Sequence, residues 1–292
     1  MADVLRNAGA MRAWSDTARS GGDSLALVPT MGALHDGHRA LVHVAKRRAA
    51  RTVVSIFVNP LQFDRGDDFD AYPRPIDDDL VICEHMGVDA VYAPTASAMY
   101  PPGFETTVQP GPLAEAMEGA TRPGHFAAVT TVVTKLFCAV RPTIAVFGEK
   151  DFQQLVVIRR MTCDLDLGVE IVAAPIVREA DGLALSSRNE RLTARQRRAA
   201  ACVPAALDAA AEAVEAGARR SADITSAAAA VVTSAAAAVV TTAAADNVRL
   251  EYVTVFDPDT LAPLTEITSA PARIAIAVWF GDVRLIDNRP LP

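Results

Sequence analysis

The sequence has little of what several large protein classes require. Only 4 of its 292 residues are cysteine, and Cys83, Cys138, Cys163 and Cys202 are scattered with no CxxC pair. That spacing excludes a zinc knuckle and argues against a disulfide framework, so the thiols read as those of a reduced, cytoplasmic protein. No unbroken apolar run reaches about 18 residues, so no membrane span is expected. The opening segment MADVLRNAGA is charged at Asp3 and Arg6 and has no apolar stretch of signal-peptide length. Positive charge is in deficit: 28 Lys plus Arg against 35 Asp plus Glu leave a net charge of −7. A dedicated nucleic-acid binder would carry a basic face instead. Several chemical signatures are also missing: GxxxxGK[ST], GxGxxG, GxSxG and HExxH. Disorder is excluded from the other side, because 51% of the residues are hydrophobic and 22% charged. The chain is long enough to bury a full core as one large or two modest domains.

The residues that are present alternate between two patterns. Short apolar runs at Leu25 to Val28, Thr52 to Val58, Val88 to Tyr92, Thr143 to Phe147 and Val169 to Val172 suit strands covered on both faces. Helical patterns lie between them. Val129, Val132, Val133, Leu136, Phe137 and Val140 make one stripe at three- and four-residue spacing. Another helix opens on Asp77, Asp78 and Asp79 and stops at Gly87. This order predicts an α/β fold, a Rossmann-like parallel sheet occupying residues 1–176. Residues 177–292 read as a smaller α+β domain. There Thr193 with Gln196 fits a capping box opening an Ala-rich helix to about Ala216, and Ser221 to Ala245 reads as a second helix. Strand-like runs follow at Val248 to Val255, Ala272 to Phe280 and Val283 to Ile286, with Gly281-Asp282 as a hairpin turn.

In an open parallel sheet, ligands bind outside the carboxyl ends of the strands. Four polar segments leave strand ends here: Pro29 to His38, Asn59 to Phe63, Gly148 to Gln154, and Val177 to Asn189. They are expected to meet at one edge. His35 and His38, with Gly37 between them, sit where a helix starts, and free N–H groups there suit a phosphate. Two solvated histidines at a helix start, or a shared metal, are the other readings; no third ligand is specified by spacing. Lys150 is a cation for phosphate, or an exposed turn paired with Glu149 and Asp151. Ser186, Ser187 and Arg188 are a phosphate clamp, or a helix-capping linker. Gln62 and Gln154 are amides beside apolar neighbours, suited to a small polar ligand, or plain surface residues. The loop Arg122 to Phe126 is a further candidate for the pocket wall.

Taken together and in order, the segments PTMGALHDGH, SIFVNPLQF, Tyr72-Pro73-Arg74, Arg122 to Phe126, FGEKDFQQ and VREADGLALSSRN resemble the pantothenate synthetase (pantoate–β-alanine ligase) family, in its actinobacterial form. The likeness covers nearly the whole chain. HDGH is similar to the HxGH signature of the nucleotidyltransferase superfamily, and Leu185 stands where some relatives carry Met. The resemblance implies ATP-dependent joining of pantoate to β-alanine through a pantoyl adenylate, with Mg²⁺ required. It implies ATP contacts from Met31, Gly32, Ala33, Leu34, His35, Asp36, Gly37 and His38, from Gly148, Glu149, Lys150 and Asp151, and from Val177, Leu185, Ser186, Ser187 and Arg188. It makes His38, as proton donor, together with His35, Lys150 and Arg188 the catalytic set. Gln62 is implied to bind pantoate and β-alanine, and Gln154 pantoate. No residue is assigned as a metal ligand. A cytoplasmic homodimer, with the second domain as a lid, is implied as well. The rivals are a nucleotidyl transfer to a phosphate, a non-catalytic ATP-binding regulator and a metallohydrolase.

Overall fold

A computed structural model describes residues 2–63, 66–238 and 247–292, with no side-chain account for 67 and 68. The chain divides into two compact units, Met1–Pro175 and Ile176–Pro292.

The first unit is built on six parallel strands. In chain order its elements are β1 (Asp3–Leu5), α1 (Ala8–Ser20), β2 (Leu25–Thr30), α2 (Asp36–Arg48), β3 (Arg51–Ile56), α3 (Gly66–Asp70), α4 (Ile76–His85), β4 (Ala90–Tyr92), α5 (Ala96–Met99), α6 (Glu118–Thr121), α7 (His125–Val140), β5 (Ile144–Gly148), α8 (Phe152–Asp164) and β6 (Glu170–Ala174). The strand order is β1-β4-β3-β2-β5-β6, and every pairing is parallel. The central strands are buried on both faces: Leu25 to Val28, Val53, Val54, Ala145 and Val146 are all 0% exposed. This is why their runs are continuously apolar rather than alternating. The expected stripe of α7 is buried throughout, from Val129 to Val140. Helix α4 opens on its three aspartates and closes at His85. Gly87 takes φ +64°, which lets the N–H groups of Met86, Val88 and Gly87 donate to the last-turn carbonyls of Ile82, Cys83 and Glu84, and Lys46 Nζ donates to the carbonyls of Met86 and Gly87 just beyond, at 2.7 and 2.9 Å.

The order of the strands locates the site. From β2 the chain moves to β3 and β4 on one side and returns to β5 on the other, so the winding reverses between β2 and β5. The crevice at such a reversal, beyond the carboxyl ends of the strands, is the binding position in open α/β sheets.

The second unit contains α9 (Ala194–Ala199), α10 (Cys202–Glu215), α11 (Ser221–Ala238) and the antiparallel strands β7 (Val248–Phe256), β8 (Arg273–Phe280) and β9 (Val283–Pro290). β8 is central, and its Ile274, Ile276, Val278 and Phe280 are 0% exposed at period two. Phe280 pairs with Val283 across the expected two-residue turn, where Gly281 takes φ +58°. The capping box at Thr193 and Gln196 is present. The helix it opens does not run on to Ala216, however. It stops at Ala199, and α10 starts at Cys202. Pro204 has no N–H for the carbonyl of Ala200 and its ring would clash there, so one continuous helix is broken just ahead of it. Of the Ala-rich stretch, α11 is helical to Ala238, and residues 239–245 lie outside the described residues. With 18 residues and a mean hydropathy of 1.2, α11 is long and apolar enough to cross a membrane by composition. Its Ser221, Ile224, Ala228 and Val232 are buried at helical spacing, and the last three belong to the core of this unit.

Candidate active site

The segment after β2 turns on two successive left-handed residues, Gly32 at φ +86° and Ala33 at φ +50°. It then enters α2 through an unusual capping box. His35 is the N-cap, and its Nδ1 accepts the Gly37 N–H at 3.1 Å. The His35 N–H donates in turn to His38 Nδ1 at 3.3 Å. In the first turn of α2 the Gly37 N–H is used by His35, and in the segment ahead of it the N–H groups of Gly32, Ala33, Leu34 and His35 are used within the chain, because the two imidazoles and two side chains from neighbouring segments reach them. A ring nitrogen that accepts a backbone N–H carries no proton, so both neutral imidazoles hold theirs on Nε2. The two rings lie 4.2 Å apart between centroids. Desolvation above all, then the nearby His35 and Lys150, pushes His38 down to about 3. His35 is lowered too, by burial first and then by Lys150, with Asp36 opposing. The pair is therefore two neutral hydrogen-bond donors at pH 7, beside the Lys150 side chain. Asp36 itself is exposed and pairs with Arg39 at 3.2 Å.

From the sequence, Asp79 reads only as a helix-start acid. In the structure it is buried, at 1% exposure, and its two oxygens accept the N–H groups of Ala33 at 2.9 Å and Leu34 at 2.7 Å. The one available signal is its place four residues before buried Cys83, on the same face of α4.

The segment after β3 supplies Gln62, and its amide has a fixed direction. Asn59 caps the short turn Pro60–Gln62. Its Oδ1 accepts from Tyr100 Oη at 2.9 Å, and its Nδ2 donates to Ala128 O at 3.3 Å and to Gln62 Oε1 at 3.1 Å. With its oxygen engaged, Gln62 offers Nε2–H, which lies 2.9 Å from Met31 Sδ on the β2 segment. The backbone of Gln62 is gripped as well: its carbonyl accepts from Arg122 Nη2 at 2.9 Å and His125 Nδ1 at 3.0 Å. The loop from Arg122 to Phe126 thus does join this site. Gln62 is held as a donor, which suits a carboxylate or hydroxyl oxygen.

The segment after β5 forms a short 3₁₀ turn over Glu149–Asp151, and its Lys150 is close enough to lower both histidines. The next two residues part ways. Gln153 is buried and structural, bonding Glu118 N, Leu113 O and Ala116 O at 2.8–3.0 Å. Gln154 is half-buried. The segments after β2, β3 and β5 are therefore brought together as expected.

The fourth segment belongs to the second unit. Leu185 N donates to Val177 O at 2.9 Å and Arg178 bridges Ala184, making a small hairpin that turns at Gly182, φ +87°. Ser186 caps the 3₁₀ turn that carries Ser187 and Arg188, its Oγ accepting from Arg188 N at 3.3 Å. The hairpin is pinned by two ion-pair groups that sequence reasoning missed. Arg178 forks onto buried Asp287 at 2.6 and 3.0 Å, and Arg197 binds Glu179 and Asp181, each at 2.6 Å.

Comparison with known proteins identifies the family. The family described as pantoate-beta-alanine ligase matches this sequence over residues 3–290. A pantothenate synthetase of Sphingopyxis alaskensis is 48% identical, over 99% of this chain and 99% of its own. One from Mycobacterium avium is 50% identical, over 96% of this chain and 86% of its own. Among solved structures, the pantothenate synthetase of Thermus thermophilus superposes with a TM-score of 0.89 at 42% identity, covering 98% of each chain. The pantoate-beta-alanine ligase of Francisella tularensis, solved in complex with beta-gamma ATP and beta-alanine, gives a TM-score of 0.80 at 29% identity. It covers 99% of this chain and 97% of its own.

Proposed function

This chain belongs to the pantoate–β-alanine ligase family, and on that premise we propose how its residues carry the reaction. The enzyme joins pantoate to β-alanine at the expense of ATP, giving pantothenate. In the first step a pantoate carboxylate oxygen attacks the α-phosphorus of ATP. The bond from that phosphorus to the bridging oxygen breaks, and pyrophosphate leaves. In the second step the β-alanine amine attacks the acyl carbon of the pantoyl adenylate; AMP departs with its oxygen and the amine gives up a proton.

Attack on phosphorus needs positioning and charge stabilisation more than covalent help. His38 and His35 donate Nε2–H to the phosphate oxygens as neutral rings, and Lys150 supplies the fixed positive charge. The role of His38 as proton donor, which the family resemblance implies, belongs to the same proposal and is exercised through that Nε2–H. The stretch Met31 to His38 with Gly148 to Asp151 receives the nucleotide. Gln62 donates to the carboxylates of pantoate and β-alanine, and Gln154 binds pantoate. Val177, Leu185, Ser186, Ser187 and Arg188 of the second unit complete the ATP contacts, and closing of that unit over the adenylate belongs to the same proposal. A Mg²⁺ ion brought in with the triphosphate would supply further positive charge for the leaving pyrophosphate. Among the described residues no group of three or more His, Cys, Asp or Glu could hold a metal, and Mg²⁺ is ordinarily held largely by substrate phosphates and water. We take the working form to be a cytoplasmic homodimer; the free thiols, two of them exposed, suit a reducing compartment.

The observation that carries the mechanism is the pair of imidazoles with Nδ1 engaged and Lys150 nearby, at the reversal of the sheet. ATP–pyrophosphate exchange with Mg²⁺, with and without pantoate and lacking β-alanine, tests it. Exchange that depends on pantoate is expected. Protein that binds ATP yet shows no exchange would overturn the adenylate step and favour the regulator reading.

A further inference from the structure

We infer that Asp79 is a positioning residue for the nucleotide: its carboxylate locks the Met31–Leu34 loop into the one backbone shape that seats the two histidines and Met31 around ATP. The inference deepens the proposed assignment of Met31 to His38 to ATP and rests on it.

Consecutive backbone N–H groups in a turn with left-handed residues form a concave anion site. Here the N–H groups of Ala33 and Leu34 converge on an anion supplied by the protein itself, Asp79, from 46 and 45 residues away in sequence. A loop with Gly32 and Ala33 both at positive φ is not the shape that a free chain prefers, since a left-handed alanine is disfavoured. Two charge-assisted hydrogen bonds to a buried carboxylate provide what holds it. Asp79 stands in the first turns of α4, where the helix dipole favours a negative charge. Space enforces the same shape. A Cβ on Gly32 would lie 2.8 Å from Asp79 Oδ2 and 3.1 Å from Ile56 Cγ2, so the loop packs directly on the carboxylate. The consequence reaches the chemistry. With the Ala33 and Leu34 N–H groups engaged by Asp79, phosphate is left to the imidazole Nε2–H groups, Lys150 and the first turn of α2, and Asp79 sets where those imidazoles start.

The test uses the whole chain and two readouts, equilibrium binding of ATP and pantoate-dependent ATP–pyrophosphate exchange. Asp79→Asn keeps the volume but turns one acceptor into a donor facing an N–H. ATP binding is expected to weaken roughly 10–100-fold, the scale of a lost charge-assisted bond with an unsatisfied donor, and the KM for ATP to rise in step. The KM for pantoate should stay within about twofold, and unfolding should remain cooperative. Gly32→Ala, which leaves the carboxylate in place but displaces the loop from it, should weaken ATP in the same way. Exposed Asp77→Asn, which removes a helix-start charge alone, should change neither readout. Unchanged ATP binding in Asp79→Asn, or equal losses for ATP and pantoate that track stability, would overturn the inference. If the wild-type chain binds ATP without pantoate-dependent exchange, the adenylation reading fails while the binding arm still decides on Asp79.

Discussion

His38 performs two tasks with two ring nitrogens, and two substitutions separate them. Nδ1 accepts the His35 N–H at 3.3 Å, while Nε2–H is the outward donor. In His38→Asn the side-chain oxygen falls near the position of Nδ1, so the cap survives and the outward donor is lost. In His38→Gln the amide nitrogen reaches the position of Nε2, so the donor survives and the cap is lost. The cap bond is long and between neutral groups, worth about 1 kcal/mol. A donor aimed at developing phosphate charge is worth about 10²–10³-fold in rate. His38→Asn is therefore expected to unfold within about 1 kcal/mol of wild type yet lose about 10²–10³-fold in pantoate-dependent ATP–pyrophosphate exchange. His38→Gln should show the reverse: a stability loss of about 1 kcal/mol and clearly more activity than His38→Asn. Urea unfolding and the exchange assay on the same preparations read both quantities. His38→Asn exchanging within a few fold of wild type would refute the donor role, whatever its stability.

The lowered pKa of His38 makes a second prediction. Its folded value lies at about 3 against an ordinary histidine value of 6.5, so between these limits the unfolded chain takes up a proton that the native chain refuses. Stability from this group is complete above about pH 6.5 and drains as pH falls through the window, at roughly 1 kcal/mol per unit. Urea unfolding from pH 7.5 to 5 should be steeper with pH in wild type than in His38→Asn, and equal slopes would contradict the assignment. In the second unit, Arg178→Ala would strand the carboxylate of Asp287, whose side chain is 0% exposed. It should cost about 3 kcal/mol, with Arg178→Lys recovering part of it. Thermal unfolding that shifts by less than the equivalent of about 1 kcal/mol would mean that the Asn288 N–H, which also donates to Asp287, suffices alone.

Local rules determined much of this protein from the sequence by itself. Short continuous apolar runs mark the central strands, a period near 3.6 marks α7, Thr193 with Gln196 marks a helix start, and Gly281-Asp282 marks a hairpin. Each of these is settled by residues within a turn or two of one another. Polar segments following apolar strands also show where ligand chemistry collects, because a parallel sheet gathers its carboxyl ends on one edge. Even local reading has limits: β1 is three residues long, too short for any period to show, and Pro204 is outweighed by the alanines around it. The protons of His35 and His38, by contrast, are placed on Nε2 by local capping bonds to Nδ1 two and three residues apart. Only the tertiary structure decided the rest. That Asp79 reaches Ala33 and Leu34, that Arg122 and His125 clasp Gln62 from 60 and 63 residues away, and that Tyr100 and Ala128 orient Asn59 all depend on the order of the strands. Hydrogen-bond direction depends on which atoms face each other in space, and a pattern along the chain carries no record of that.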